Sequence, residues 1–147
     1  MKRLAAGLLS LVVLLALGYV MTTAGTSEAV LYKDPACGCC NGYIAYLREA
    51  GIDVDAVNTD DIVSIKEKHK VPQDMYSCHT MIIGEYVVEG HVPLAALDRL
   101  LSRQPDIAGI ALPGMPSGSP GMPGPKSEKF VIYVISDRVP PATFMVI

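Results

Sequence analysis

The chain has 147 residues, enough for one small domain with additional segments. Its formal net charge is −3, so it lacks the basic footprint of a protein that binds nucleic acid. It has no Trp, but seven Met and four Cys make it rich in sulfur, a soft metal ligand. No hydrolase or transferase signature is present, so the cysteines are the first candidates for chemistry.

Residues 1–29 predict a signal peptide or an N-terminal membrane anchor. Lys2 and Arg3 precede a 17-residue, predominantly apolar run, Leu4–Val20, and small residues near Ala24 or Ala29 offer a cleavage site. The run is slightly long for a signal and slightly short for a spanning helix, which needs about 20 apolar residues. We favour a cleaved signal over a retained anchor. Both place the rest of the chain outside the cytoplasm, in the periplasm or held at the membrane through residues 4–20.

Residues 30–104 predict a thioredoxin-like α/β domain that contains the metal-binding residues. The predicted order is strand, helix, strand, helix, strand, strand, helix. We expect the first two strands to be parallel and joined by a right-handed crossover, and the last two to be antiparallel. The strands are predicted at 30–33, 52–58, 80–84 and 86–89, and the helices at 40–50, at 61–69 and from residue 93 onward.

Three of the four cysteines lie at the start of the first predicted helix, in Cys37-Gly38-Cys39-Cys40. A helix N-terminus carries a positive dipole and free amide donors, which favour thiolates. Cys78 and His79 directly precede the third strand, where thioredoxin-like folds place a proline loop that faces this helix start. The fold order therefore predicts that the two cysteine segments meet.

Residues 105–147 predict a Pro/Gly/Met-rich segment followed by C-terminal strands. Nine of the 13 residues in Pro113–Pro125 are Pro or Gly, and the tetrapeptide Pro-Gly-Met-Pro occurs twice, with Met115 and Met122. A flexible linker is one interpretation. Because prolines restrict the backbone and both repeats carry Met, we favour a functional pair of thioethers. Strands are predicted at 129–135 and 142–147, with their place in the sheet left open.

Four motifs in order resemble the exported CopG family of copper-resistance proteins, long labelled a domain of unknown function. The resemblance covers residues 30–122 and implies a thioredoxin-like fold. It also implies a role in copper handling and a copper site built from the cysteine motif and the Cys-His segment. Tyr43 stands where many relatives carry Trp. The motifs are Cys37-Gly38-Cys39-Cys40, Ser77-Cys78-His79-Thr80, Glu89-Gly90-His91-Val92-Pro93 and the segment from Pro113 to Met122.

The four cysteines allow several interpretations. Adjacent Cys39 and Cys40 are poorly spaced for one structural zinc ion, whereas dense thiolates with nearby thioethers suit Cu(I), including a cluster of several ions. The alternatives are a redox disulfide, because Cys37 and Cys40 have the C-x-x-C spacing, and a structural disulfide or zinc site. We favour copper. The predicted metal ligands are Cys37, Cys39, Cys40 and Cys78, with His79, Met115 and Met122 as less favoured candidates.

Two other histidines have weaker signals. His91 lies near a helix start, and its role, structural or metal-related, stays open. His69 ends the charged stretch Lys66–Lys70, which predicts a solvated helix end.

Two functions of different classes follow. The favoured one is an exported copper-binding protein that holds Cu(I) or cycles it with Cu(II), with copper ions and other exported copper-handling proteins as partners. The alternative is a thiol–disulfide oxidoreductase of the thioredoxin type. Two features weaken this alternative, because the predicted loop lacks proline and an extra thiol, that of Cys39, lies inside the C-x-x-C spacing. Whether the protein has catalytic turnover is left open.

Overall fold

The computed structural model describes residues 28–138 and 140–147. The apolar run of the predicted signal or anchor lies outside the described residues. The α/β class is confirmed, and so is the predicted order of elements up to the last helix. The strands are β1 (Glu28–Lys33), β2 (Asp53–Asn58), β3 (His79–Ile83), β4 (Tyr86–Glu89), β5 (Gly109–Ala111), β6 (Val131–Val134) and β7 (Thr143–Val146). The helices are α1 (Gly38–Glu49), α2 (Ile62–Lys68) and α3 (Leu94–Arg103), with a 3₁₀ turn at Gln73–Met75.

One seven-stranded sheet runs through the molecule in the order β2-β1-β3-β4-β5-β6-β7. Strands β1 and β2 are parallel, and β3 is antiparallel to both β1 and β4. These four strands agree with the thioredoxin-like arrangement that the sequence predicts. Because β1 leads into α1 and β3 begins at His79 beside β1, the helix start and the Cys78 segment lie at the same end of the sheet.

The C-terminal strands extend this sheet through β5, which sequence reasoning missed. Strand β5 pairs in parallel with β4 and antiparallel with β6, and β6 pairs antiparallel with β7. The two C-terminal strands that we predicted are therefore present and follow β5 at one side of the sheet. The domain boundary predicted at residue 104 stays a prediction.

Apolar packing in the core fixes α1 against the rest of the domain. Tyr43, Ile44 and Leu47 are buried at the spacing of one helical face, and Leu97 and Leu100 of α3 belong to the same apolar cluster. Burial of each such side chain stabilises the fold by roughly 1.5–3 kcal/mol. The apolar face of α1 thus fixes the position of the cysteines in its first turn.

Helix α2 differs from its predicted packing. The apolar residues Ile62 and Ile65 are only half-buried, whereas Lys66 is buried with 2% of its surface exposed. The prediction of a solvated charged stretch is therefore wrong for Lys66. His69 follows the helix as its C-cap residue, where partial burial and the nearby Lys68 lower its pKa.

Within the residues that the structure describes, no helix has the length and apolar character needed to cross a membrane.

Candidate metal centre

The four cysteine sulfurs form one cluster and all lie within 4.8 Å of one another. The Sγ atom of Cys78 is 3.8 Å from that of Cys39 and 3.5 Å from that of Cys40. The Sγ atom of Cys37 is 3.5 Å from that of Cys39. The fold thus brings together the two segments that sequence analysis paired, and the role of the four sulfurs as metal ligands stays a prediction.

Two of these cysteines are joined in the structure. Cys37 and Cys40 form a disulfide, and Cys39 and Cys78 are free and half-buried. This is the C-x-x-C pairing among the alternatives raised by the sequence. A disulfide sulfur is not a thiolate, so this oxidised form offers two cysteine ligands and the reduced form offers four.

A local turn aims the first cysteine at the cluster. The Asp34 carboxylate accepts the amide of Ala36 at 2.7 Å, and the Asp34 carbonyl accepts the amide of Cys37 at 3.0 Å. Cys37 is the N-cap of α1 but makes no side-chain capping bond, so its sulfur is not used to close the helix. The buried Lys33 ammonium donates to the Asp34 carbonyl at 3.0 Å, which holds the turn against β1.

Cys78 lies close to two histidine nitrogens as well as to sulfur. Its Sγ lies 3.4 Å from Nδ1 of His79 and 3.0 Å from Nε2 of His91. Burial, and the neighbouring Cys39, raise the pKa of the Cys78 thiol to about 12. The α1 terminus, expected to favour thiolates, therefore does not make Cys78 a thiolate by itself. A metal at this sulfur has to displace a proton.

The ring of His91 is oriented as in many metal-binding histidines. Its Nδ1 lies 2.6 Å from the carbonyl oxygen of Pro120, and because a carbonyl only accepts, Nδ1 carries the proton. Burial lowers the pKa of His91, so Nε2 keeps its lone pair and directs it at Cys78. A backbone carbonyl on the far ring nitrogen is the usual partner of a histidine ligand. The geometry favours the metal-related role of His91 that the sequence left open.

His79 is fully buried, and among the described residues its Nε2 has no hydrogen-bond partner. Its ring packs against those of Tyr43 and His91, with ring centroids at 4.8 and 4.9 Å. Burial, aided by His91 and Lys66, lowers the pKa of His79 well below its ordinary value. A buried polar atom without a partner costs about 1–3 kcal/mol. The nitrogen of His79 that faces Cys78 is the other one, Nδ1, at 3.4 Å, so His79 is a candidate ligand through that atom.

Tyr43 and Tyr46 fix the histidine side of the site to α1. The Tyr43 hydroxyl donates to the carbonyl of Val92 at 2.8 Å, and the Tyr46 hydroxyl accepts the amide of Leu94 at 2.9 Å. Burial raises the pKa of Tyr43 far above its ordinary value, so it stays a neutral donor. The two tyrosines thus hold the chain around His91 at a fixed distance from the cysteine helix.

The second Pro-Gly-Met-Pro repeat packs against the cysteine helix. Gly121 has φ +80°, and a methyl group there would lie 2.8 Å from the Cys39 carbonyl oxygen and 2.9 Å from the carbonyl carbon of Gly42. The adjacent Pro120 carbonyl holds His91. Only glycine fits both the backbone conformation and the space, so this half of the segment is a docked cover rather than a flexible linker.

The two methionines of the repeats lie in different surroundings. Met122 is half-buried beside the docked Gly121, whereas Met115 is 38% exposed and has φ +46°. Their assignment as metal ligands stays a prediction.

Sequence reasoning missed a buried ion pair behind the site. The ammonium of Lys66 contacts the carboxylate of Glu89, and these residues are 2% and 0% exposed. No local signal marks the pair, because Glu89 lies 23 residues from Lys66.

One protein-family model matches part of the chain. A family model described as "Protein of unknown function, DUF411" matches residues 75–122. No curated protein sequence matches the chain.

Two solved structures are similar over nearly the whole described chain. Copper resistance protein copG, form 2, is 33% identical with a TM-score of 0.75, and the match covers 82% of this chain and 98% of that one. Form 1 is 32% identical with the same TM-score, over 83% of this chain and 98% of that one. The identity and the coverage show that the chain belongs to the CopG family of copper resistance proteins.

Proposed function

We propose that this protein binds Cu(I) through its cysteine cluster and handles copper outside the cytoplasm. The observation that supports this most is the convergence of four cysteine sulfurs from two distant segments to within 4.8 Å. Thiolates are soft ligands that select Cu(I) over hard cations. The names of the two similar solved structures, copper resistance protein copG, point to the same metal.

The cluster suits more than one ion. Cys39 lies 3.5 Å from Cys37 and 3.8 Å from Cys78, so its sulfur is close enough to share an ion with each of them. Nε2 of His91 adds a neutral ligand at Cys78. We propose sulfur-bridged Cu(I) ions in the reduced protein. Two electrons and two protons, supplied by a thiol or phosphine reductant, convert the Cys37–Cys40 disulfide into the two remaining thiols.

An anaerobic Cu(I) titration of the fully reduced chain tests this proposal. We expect more than one Cu(I) per chain, and a lower number after Cys39→Ser. His69→Gln is the matched control, because it removes a histidine outside the cluster and is expected to leave the endpoint unchanged. A single-ion endpoint that Cys39→Ser does not alter argues against a bridged cluster, and no binding at all refutes the copper function.

The Cys37–Cys40 disulfide supports a second candidate, a thiol–disulfide oxidoreductase. The substitution Cys39→Ser separates the two functions, because it removes a proposed bridging sulfur and leaves the C-x-x-C pair. Under the copper proposal, reduction of insulin by the protein is negligible before and after the substitution. Turnover that survives Cys39→Ser would instead favour the oxidoreductase.

Export is part of the proposal and is supported by residues 1–29, with their two basic residues and apolar run. Cell fractionation and intact mass of the purified protein test it. We expect a periplasmic protein cleaved near residue 24 or 29. An uncleaved protein in the membrane fraction would indicate an anchor, and a full-length protein in the cytoplasm would contradict export. We also propose that the exported protein passes copper to other exported copper-handling proteins.

A further inference from the structure

We propose that Glu89, held by Lys66, is a positioning residue that fixes Cys78 in the cysteine cluster. The proposal rests on the copper site proposed above, but its geometry is independent of copper. It gives the buried ion pair a role that neither the motifs nor the fold required.

The Glu89 carboxylate binds both sides of the Cys78 segment. Oε1 accepts the amide of Ser77 at 2.5 Å and also contacts the Lys66 ammonium, while Oε2 accepts the hydroxyl of Thr80 at 2.7 Å. Lys66 donates to Thr80 Oγ1 at 3.0 Å as well. The residue before Cys78 and the residue two after it are therefore tied to one buried carboxylate.

The same residue fixes the histidine that faces Cys78. Glu89 is followed by Gly90 and His91, and the amide of Gly90 donates to the carbonyl of His79 at 3.3 Å. Gly90 has φ +77°, and a methyl group on it would lie 2.6 Å from the carbonyl oxygen of Leu112. Glu89 is therefore connected to Cys78 through the Ser77 amide and to His91 through Gly90. These two short connections set the 3.0 Å distance between Cys78 Sγ and His91 Nε2.

Stability alone does not account for a buried charged pair at this position. Taking both charges out of water costs several kcal/mol per ion before their attraction offsets it, and apolar replacements of such pairs are often neutral or stabilising. The Ser77–His79 segment contains no proline to restrict its backbone. A charge-assisted bond from the Ser77 amide to Glu89 supplies that restriction instead, and Lys66 keeps the carboxylate paired.

Two double variants isolate this role. Lys66→Met with Glu89→Leu removes both charges and the acceptor for Ser77. Lys66→Met with Glu89→Gln removes both charges but keeps a carbonyl oxygen where the Ser77 amide needs it. Neither double variant leaves an unpaired charge in the core, so we expect both to fold. Leu100→Ala, in the buried face of α3, is the control for loss of stability without loss of the acceptor.

The first readout is copper release from the loaded full chain to a competing chelator, at a temperature where every variant is folded. Partners that orient a metal site typically change affinity 10–100-fold, so we expect release about tenfold faster for the Leu double variant. The Gln double variant and Leu100→Ala should release copper at the wild-type rate. Equal release rates for the Leu and Gln double variants would overturn the proposal.

The second readout needs no copper and separates this inference from the copper function. Hydrogen exchange of the Ser77 amide in the reduced apo-protein should be at least about tenfold faster in the Leu double variant, and near wild type in the Gln one. If the wild-type chain binds no copper but the exchange pattern holds, the positioning stands and the copper function falls. Unchanged exchange in the Leu variant refutes the positioning.

Discussion

The two Pro-Gly-Met-Pro repeats offer a matched pair of substitutions that tests whether the second repeat covers the site. Gly114 and Gly121 occupy equivalent positions and have similar backbones, with φ +75° and +80°. A methyl group on Gly114 would meet no described residue within 4 Å, whereas one on Gly121 would lie 2.8 Å from the Cys39 carbonyl oxygen. The change to Ala therefore strains the backbone similarly at both positions but adds a steric clash only at Gly121.

The two substitutions differ in expected magnitude. Alanine at positive φ costs roughly 1 kcal/mol relative to glycine. At Gly121 the neighbours are backbone atoms of α1, which cannot rotate away, and overpacking of this kind adds about 1–3 kcal/mol. We expect Gly114→Ala to lower the free energy of unfolding by about 1 kcal/mol and Gly121→Ala by about 2–4 kcal/mol. At roughly 4 °C per kcal/mol for a domain of this size, we expect the Tm to fall by about 4 °C in Gly114→Ala and by about 8–16 °C in Gly121→Ala.

The assay is denaturant unfolding and thermal melting of the reduced apo-protein, followed by copper release to a chelator. Because the Pro120 carbonyl orients His91, undocking of the repeat should also speed release in Gly121→Ala but not in Gly114→Ala. Equal losses of stability and equal release rates for the two variants would refute the docked cover.

Further variants test the Cys39 sulfur, the two methionines and the Asp61 cap of α2. Copper analysis and thiol counting should show fewer Cu(I) per chain in Cys39→Ser, with the Cys37–Cys40 disulfide still able to form. Met115→Leu with Met122→Leu keeps apolar volume without sulfur, so faster copper release at unchanged Tm would identify a thioether ligand, and unchanged release would exclude one. The Ser64 hydroxyl and amide lower the pKa of Asp61, so its stabilising effect is present above about pH 4 and is lost as pH falls through the lowered value. The Tm of Asp61→Asn should therefore fall less than that of the wild type on acidification.

The parts of the site that sequence predicts are those set by local signals and by fold order. The helix predicted at 40–50 has three cysteines at its start, and the structure begins α1 at Gly38, directly after Cys37. The position of Cys78 follows because the residues before the third strand face that helix start. These inferences need only short-range patterns and one topology rule.

The parts that sequence missed depend on distant partners. Strand β5 has only three residues, Gly109–Ala111, too few to show an alternating pattern, and it forms because β4 and β6 pair on either side of it. The charged stretch around Lys66 predicts a solvated side chain, but its contact with Glu89, 23 residues away, decides its burial. No local pattern contains either partner.

The disulfide and the proposed copper site use the same sulfur atoms, so copper binding and thiol oxidation would be linked. Cys37 and Cys40 cannot both be bonded to each other and act as thiolate ligands, so Cu(I) at the proposed site binds the reduced form. Binding to one form stabilises it by about 2.7 kcal/mol when free ligand is about 100 times Kd. For a two-electron couple this raises the reduction potential of the disulfide by about 60 mV, since about 30 mV corresponds to about 1.4 kcal/mol. With Cu(I) bound as proposed, copper supply would protect the thiols from oxidation, and oxidation of the pair would favour copper release.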